Sequence, residues 1–516
     1  MNRTNRLATF VLLPATLIAS LISPIAHAAP KTVTLGFQGP LTGSDAAIGS
    51  GMLSAAQFAV SEFNSRHSDV QVTLQTIDDL GSPSSAGPAS VAAAANSNLI
   101  GVVGPIYTGA AIASFPAYRN AGIPLISPSA SRDTLTIPSS IDNGLPVFHR
   151  VIPNYLEDGG SIAETAIEST PSAQSSSLIS IVGDLSSSSD QMTSKASAEF
   201  DKVGVGYFKH VAPFGTTNYA AVSNTILSNS PKTVICMADV SGCGLLLKAL
   251  RLANFVGLYV ANTNVIEPTY KSFITSAGSA AAAGSIVVSN APAPLALVAP
   301  AVSKRYVRST GLQPSIYATE TIDATNIFLA GIERGATTRA QLTKFIGSYS
   351  GTSLSGTPIS FNSNGDLDLP LLAKFVVSNG SLTYAGTALP TISDLSVLVT
   401  QANSLMDTTD ALAAQASSLL SAANGLLANP NKTSIDSNIL LVQTAQENFA
   451  ASAARARNLQ IALSYLGRLR LSPVMVDYAT ATRMALDQVS RLASTITPNL
   501  NSAMTTLNAA RAKLRR

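Results

Sequence analysis

Histidine and cysteine are scarce in this 516-residue chain, which has four of the first (His27, His67, His149, His210) and two of the second (Cys236, Cys243). The histidines lie far apart, and no set of histidines, cysteines and carboxylates has metal-ligand spacing, so neither a metal nor another cofactor is expected. A nucleophile elbow, a phosphate-cradling loop and a usable catalytic histidine are all missing, so the chain does not read as an enzyme. Gly101-Val102-Val103-Gly104 is too isolated a glycine pair to hold a dinucleotide. Charged residues make up 12% of the chain, against about a quarter in ordinary proteins. The net charge of +3 is scattered, with no basic stripe interleaved with aromatics, which argues against a nucleic-acid partner. Cys236 and Cys243 read as two small buried thiols, although a disulfide between a strand end and the next helix is sterically allowed.

What is present begins with an address. Arg3 and Arg6 precede an apolar run from Leu7 to Ile22, and Ala26-His27-Ala28 gives a small-residue cleavage site. Residues 1–28 therefore read as a signal peptide, and the mature chain as exported and soluble. The apolar core is short and interrupted by Pro14, unlike a membrane anchor, and no later stretch reads as membrane-spanning. The length suggests about three domains.

From Thr32 onward short apolar runs alternate with helical patterns, the mark of doubly wound parallel sheets. Strands are expected at Thr32–Phe37, Val70–Thr76, Leu99–Val103 and Ile123–Ile126, with helices at Ala46–Asn64, at Ser90–Ser97 and from Thr108. A second series runs from Leu178 to Ala261. The stretch GVVGPIYTGAAIASFPAYRNAGIPLISPSASRD, residues 101–133, is the expected ligand-holding segment. Open parallel sheets bind ligands beyond the carboxyl ends of their strands. A helix N-terminus near Thr108 offers unpaired amides to a carboxylate, and the run Ser127–Ser131 adds hydroxyls to the same crevice. Turn-making and helix capping would use the same residue types.

This stretch resembles the periplasmic leucine/isoleucine/valine-binding protein family, the type I bilobed substrate-binding proteins of ABC importers. The resemblance runs from about Lys31 to about Pro390 and includes LGFQGPLTG, AAQFAVSEFNS, VFHRVIPNYLEDGG and ATETIDATNIFLAGIERGA. It implies an α/β, two-lobed type I periplasmic-binding-protein fold, with two doubly wound parallel sheets joined by hinge crossovers. Lobe 1 would comprise residues 31–150 plus 280–355, and lobe 2 residues 151–279 plus 356–390. The later crossovers are expected near Gly278–Ile286 and Thr352–Ile359. The family's motif maps Thr108, Ser129 and Ser131, with the Ala130 amide, onto the groups that hold a ligand's α-carboxylate and α-ammonium. Two departures follow. Asp239 stands where the family has a ligand-covering aromatic, and Thr263 falls near its ammonium-pairing acid. Asp239 could pair the ammonium from another wall of the cleft, or it could cap the helix that follows; the ligand could also be something other than an amino acid.

After Pro390 the strand signals stop. Leu398, Leu405, Leu412, Leu419 and Leu426 recur every seven residues, and two more heptad-patterned helices follow the breaks at Asn429-Pro430-Asn431 and Ser472-Pro473. Pro498 is expected to kink the last of them. Residues 391–516 therefore read as an all-α antiparallel three-helix bundle. The bundle could pack on one lobe, self-associate through its heptads, or dock to an envelope partner. The resemblance implies a periplasmic protein that captures a small solute, an amino acid or related carboxylate or amide, by hinge closure and delivers it to an ABC transporter permease. The alternative is a ligand sensor or envelope scaffold on the same fold, with the helical tail as its effector surface.

Overall fold

The computed structural model describes residues 30–170, 178–262, 270–290 and 294–514. The expected signal peptide and Thr263 lie outside them. The chain opens with β1 (Lys31–Gly39), α1 (Ala46–Asn64), β2 (Val70–Asp78), α2 (Pro83–Ala94), β3 (Leu99–Val103), α3 (Thr108–Ala121), β4 (Leu125–Ser127) and β5 (Phe148–Arg150). It continues with α4 (Tyr155–Ser169), β6 (Ile179–Gly183), α5 (Ser187–Val203), β7 (Tyr207–Val211), α6 (Ala220–Ser228) and β8 (Thr233–Cys236). Next come α7 (Val240–Leu252), β9 (Leu258–Ala261), α8 (Tyr270–Ala277), α9 (Ser279–Ala282) and β10 (Ile286–Ser289). A third run holds α10 (Leu295–Val298), α11 (Pro300–Thr310), α12 (Ala318–Glu333), α13 (Arg339–Gly347), β11 (Ser350–Thr352), β12 (Pro358–Ser360), β13 (Ala373–Ser378) and β14 (Ser381–Thr387). Three long helices close the chain: α14 (Ile392–Ala428), α15 (Lys432–Leu466) and α16 (Pro473–Lys513).

Two large sheets form, as the alternation requires, beside a small antiparallel β11-β12 pair. The first has the order β2-β1-β3-β4-β5 and is parallel throughout. The second has the order β14-β13-β10-β9-β8-β6-β7, parallel from β10 to β7, with β13 antiparallel to β10 and β14 antiparallel to β13. Every residue of β3 and of β6 is buried, because helices cover both faces of such sheets. Helix α2 begins earlier than its sequence pattern suggests. Ser82 caps it by accepting from the Ser85 amide, and Pro83 takes the first helical position, where its missing N–H costs nothing.

The later lobe boundaries fall elsewhere than expected. Ile286–Ser289 pairs with β9 on one side and β13 on the other, so it belongs to the second sheet. Ile359 and Phe361, by contrast, fill the core beside β1 and β3, together with Leu295, Tyr306 and Phe328. The second crossover thus follows Ser289, and the third runs from about residue 362 to 372. The cause is packing. Val287 and Val288 carry apolar side chains to opposite faces of the second sheet, which leaves the strand no stable place outside it.

The first and third crossovers are fastened to each other. Arg150, at the end of β5, is wholly buried. Its Nε donates to Asp366 Oδ1 at 2.5 Å, its Nη1 to the Arg132 carbonyl at 2.6 Å, and its Nη2 to Thr136 Oγ1 at 2.7 Å. Thr136 completes the loop by donating to Asp366 Oδ2 at 2.7 Å. Beside this staple His149 packs edge-on against Phe361, and burial pulls its imidazole down to about 4.

The terminal helices form the expected bundle. Arg511 pairs with Asp436, and Gln446 donates to Asn501, so α15 and α16 run in opposite directions. Asn499 donates to Ser417 and Lys513 to the Leu427 carbonyl, so α14 and α16 run parallel. The heptad leucines supply the seam, with Leu398, Leu412 and Leu419 buried against Leu486, Ile496, Leu500 and Leu507. Helix α14 is long and apolar enough to cross a membrane by length and composition, but these leucines are spent on its neighbours. Helix α16 continues through Pro498 without a break.

The bundle rests on both lobes rather than one. At its base Ser393 donates to Glu199 of α5 and accepts from Lys202. On the other side Asn458 of α15 donates to the Tyr349 carbonyl at 3.2 Å, and Arg455 donates to the Phe361 carbonyl at 2.9 Å. Arg455 also grips both carboxylate oxygens of the buried Asp368 in the third crossover.

Two outcomes follow. Replacing Arg455 with alanine strands a buried carboxylate and should lower stability by about 3 kcal/mol in urea unfolding. His149 refuses a proton that the unfolded chain accepts, so stability is lost as pH falls from 6.5 towards 4. The wild type should lose about 3 kcal/mol more over that window than His149→Gln, measured as unfolding free energy against pH.

Candidate functional site

Helices that follow parallel strands begin at the strands' carboxyl edge, so each sheet collects helix N-termini and loop amides there. In the first sheet this edge is shaped by buried polar groups. Gln38, next to last in β1, donates to Ser114 Oγ at 2.8 Å and to Asp79 Oδ2 at 3.3 Å, and accepts from the Tyr118 hydroxyl at 2.6 Å. Asp78 accepts from the Leu41 amide and the Thr42 hydroxyl, and Asp79 accepts from the Gly81 amide. Both carboxylates thus hold loops in place. Burial raises the Asp79 carboxyl above its ordinary range, outweighing the hydrogen bonds from Gly81 and Gln38.

Thr108 is the first helical residue of α3, half-buried, and the N-cap is Tyr107. No side chain caps this helix, so its first-turn amides stay available. Ser131 is 5% exposed, and its carbonyl accepts from the Tyr155 amide at 3.1 Å. Ser129 and Ala130 are committed within the protein. The Ser129 hydroxyl donates to the Ile106 carbonyl at 2.7 Å, and the Ala130 amide donates to Ser127 Oγ at 3.0 Å. These two bonds, with Ser127 Oγ donating to the Pro105 carbonyl, tie the β4 turn to the loop that carries Thr108. The structure therefore brings Thr108 and Ser131 to one edge, and gives Ser129 and Ala130 the turn-making work that serines also do.

In the second lobe Asp239 is the N-cap of α7. Its Oδ1 accepts from the Ser241 and Gly242 amides, each at 3.0 Å, and its own amide donates to Asp184 Oδ2 at 3.0 Å. Burial, then Asp239 and Asp184, push the Tyr219 phenol up to about 12. The same turn corrects the reading of the cysteines. Cys236 ends β8, Cys243 lies one turn into α7, and the capped turn brings their Cα atoms to 5.7 Å, where they are joined as a disulfide.

Three residues of this region escape the sequence reading. Tyr317 has φ of 60°, a left-handed conformation that non-glycine residues rarely adopt, and it precedes α12. Such strain tends to gather at functional sites. Its phenol is held well above the ordinary range, first by burial and then by Glu320, Tyr155, Asp158 and Tyr107. Asp158, in the first turn of α4, is fully buried, with both carboxylate oxygens unpartnered. Glu320, in the first turn of α12, is 2% exposed, with Oε1 unpartnered. Burial drives both carboxyls well above the carboxylate range. In the sequence, acids at such positions read as ordinary companions of a helix N-terminus.

Comparison with known proteins bears on all of this. The periplasmic binding protein family matches residues 32–372. A Leu/Ile/Val-binding protein of Rhizobium johnstonii, BraC3, is 35% identical over 131 residues, which cover 25% of this chain and 35% of that protein. The chain thus matches about a third of that relative's length. Among solved structures, the branched-chain amino acid binding protein LivJ of Streptococcus pneumoniae, in complex with isoleucine, superposes with a TM-score of 0.55 at 20% identity. That match covers 70% of this chain and all of LivJ. A solute-binding protein of R. palustris in complex with benzoate gives 0.53 at 17% identity, over 70% of this chain and 97% of that one. These relatives are binding proteins, not enzymes. The helical extension, residues 391–516, lies beyond the family match.

The capping geometry of Asp239 yields a clear outcome. Asp239→Ala should cost about 1 kcal/mol, and Asp239→Asn much less, because asparagine caps equally well. Thermal unfolding of the two variants checks this. An equal loss in both would give the carboxylate charge a role beyond the cap.

Proposed function

The chain belongs to the periplasmic binding protein family, and on that premise we propose that it captures a small carboxylate-bearing solute between its lobes and hands it to an ABC importer. Its family is one of exported proteins, and on this reading the leader is cleaved near Ala28. The observation that carries the proposal is the α3 N-terminus: it has no side-chain cap, and the free hydroxyls of Thr108 and Ser131 stand at the same strand edge. Unpaired amides there suit an anion. Solute bound first by this lobe would favour the closed arrangement, because only closure adds the second lobe's contacts. An amino acid and an aromatic carboxylate both fit this chemistry, as the isoleucine and benzoate complexes of the structural neighbours illustrate.

A second reading makes the protein a sensor whose helical extension reports closure. One observation favours it: Arg455 of α15 grips Asp368 inside the third crossover, so movement of the hinge would be passed to the bundle. Self-association through residues 391–516 would be a further use of the same helices, tested by gel filtration with and without them.

A thermal-shift screen of amino acids, amides and aromatic carboxylates tests the capture reading. A cognate solute at a hundred times its Kd should add about 2.7 kcal/mol of stability. Thr108→Val and Ser131→Ala should each weaken its binding by about tenfold or more, since each removes a hydrogen bond to a charged group. Affinity unchanged in both variants would remove this edge from the site.

A further inference from the structure

We infer that the cavity where the first lobe, the third crossover and α15 meet is a second binding site, one for a small oxyanion held by Asn362 and Arg455. Thr108 and Ser131 are not among its lining residues, so the inference is independent of solute capture.

The placement comes first. The cavity is open and holds about 330 Å³. Its wall joins Thr343 and Gly347 of α13, His149 of β5, Phe361 and Asn362 at the start of the third crossover, and Arg455 of α15. No carboxylate is among the described residues that line it. The acids of this junction, Asp366 and Asp368, line a separate cavity together with Glu157 and Asp394.

The donors come next. Arg455 gives Nη1 and Nη2 to the two oxygens of Asp368, and Nη1 also donates to the Phe361 carbonyl. Asp368 is held by the Ser360 hydroxyl as well, at 2.6 Å, so its charge is already met. Nε and the second N–H of Nη2 donate to nothing among the described residues. Those two N–H groups lie along one edge of the guanidinium, the side-on fork that matches two oxygens of a carboxylate, phosphate or sulfate. Asn362 adds a donor of fixed orientation. Its Oδ1 accepts from the Asn364 amide at 2.8 Å and the Asp366 amide at 3.2 Å, which leaves Nδ2 as the free atom. Nδ2 has no partner among the described residues.

The remaining wall favours the same ligand. Burial keeps the His149 imidazole neutral at neutral pH, so it offers one N–H without bringing a charge. The Val147 and Leu125 carbonyls lie near the ring, but Nδ1 has no hydrogen-bond partner. The Thr343 hydroxyl already donates to the Arg339 carbonyl at 3.0 Å. The free groups are therefore mainly donors, and they suit a ligand that accepts. An ammonium would find no carboxylate here to pair with. An oxyanion would touch the first lobe, the crossover and the bundle at once.

Titration calorimetry on the mature full-length chain tests this with inorganic phosphate, sulfate and acetate, and with acetamide as an uncharged counterpart. At least one anion should bind, and at least tenfold more tightly than acetamide. Binding of acetate identifies a carboxylate site, and binding of phosphate or sulfate a site for tetrahedral oxyanions. Two variants place the bound anion. Asn362→Asp keeps an acceptor for the Asn364 and Asp366 amides but replaces the Nδ2 donor with a negative oxygen. Gly347→Leu fills the cavity from a position where an added Cβ meets nothing within 4 Å. Each should weaken the anion at least tenfold, and Thr108→Val in the cleft should change it less than twofold. Circular dichroism confirms folding, and Gly347→Leu carries the test by itself if Asn362→Asp is not folded. The inference is overturned if no anion binds, if acetamide binds as tightly, if either folded variant loses less than tenfold, or if Thr108→Val abolishes binding. None of these results bears on solute capture, which the thermal-shift screen decides separately.

Discussion

Buried polar groups that lack partners organise this molecule, and the parallel sheet decides where they collect. Each strand of a βα unit ends where a helix begins, so unpaired amides, cap residues and first-turn acids gather at one edge. Most are satisfied internally: Asp78, Asp79, Gln38, Ser129 and Asp239 are all committed to loops or helix ends. Not all are: buried carboxylate oxygens of Asp133, Glu157, Asp158 and Glu320 have no hydrogen-bond partner among the described residues, and the first turn of α3 has no side-chain cap.

The crossovers show the same economy of pairing. Arg150 and Arg455 approach the third crossover from different elements and take Asp366 and Asp368, two residues apart. The first ion pair joins two crossovers, and the second joins the crossover to the extension. A buried ion pair gives little net stability against an apolar alternative, but losing one member is costly. These pairs therefore fix a geometry more than they strengthen a fold. The bundle touches α5 of the second lobe and the β11-β12 region of the first, so it bridges the two lobes.

Much of this was legible in the sequence. Apolar runs such as LIGVV (99–103) and the heptad leucines from Leu398 to Leu426 carry their structure in their periodicity, so the two sheets and the bundle could be read directly. The second and third crossovers could not. Ile286–Ser289 is a short apolar run that suits either lobe, and only pairing with both β9 and β13 assigns it. The disulfide depended on a turn geometry that spacing alone leaves open. The placing of Thr108 and Ser131 at one strand edge was readable through the family resemblance, since the local pattern of strand-end hydroxyls serves turns and caps equally well. The left-handed turn at Tyr317 and the burial of Asp158 and Glu320 were not readable, since a left-handed tyrosine leaves no mark in the text and an acid near a helix start looks the same whether solvated or buried. Ser129 was carried over from the family motif, and in the fold its hydroxyl donates to the Ile106 carbonyl.

The most direct measurement is a crystal structure of the mature protein with its tightest-binding solute from the screen. The expected result is closed lobes with the solute's carboxylate within hydrogen-bond distance of the α3 first-turn amides and the Thr108 and Ser131 hydroxyls. A solute bound elsewhere on the chain, or a cleft filled by the protein's own side chains with Thr108 and Ser131 turned away from it, would contradict it.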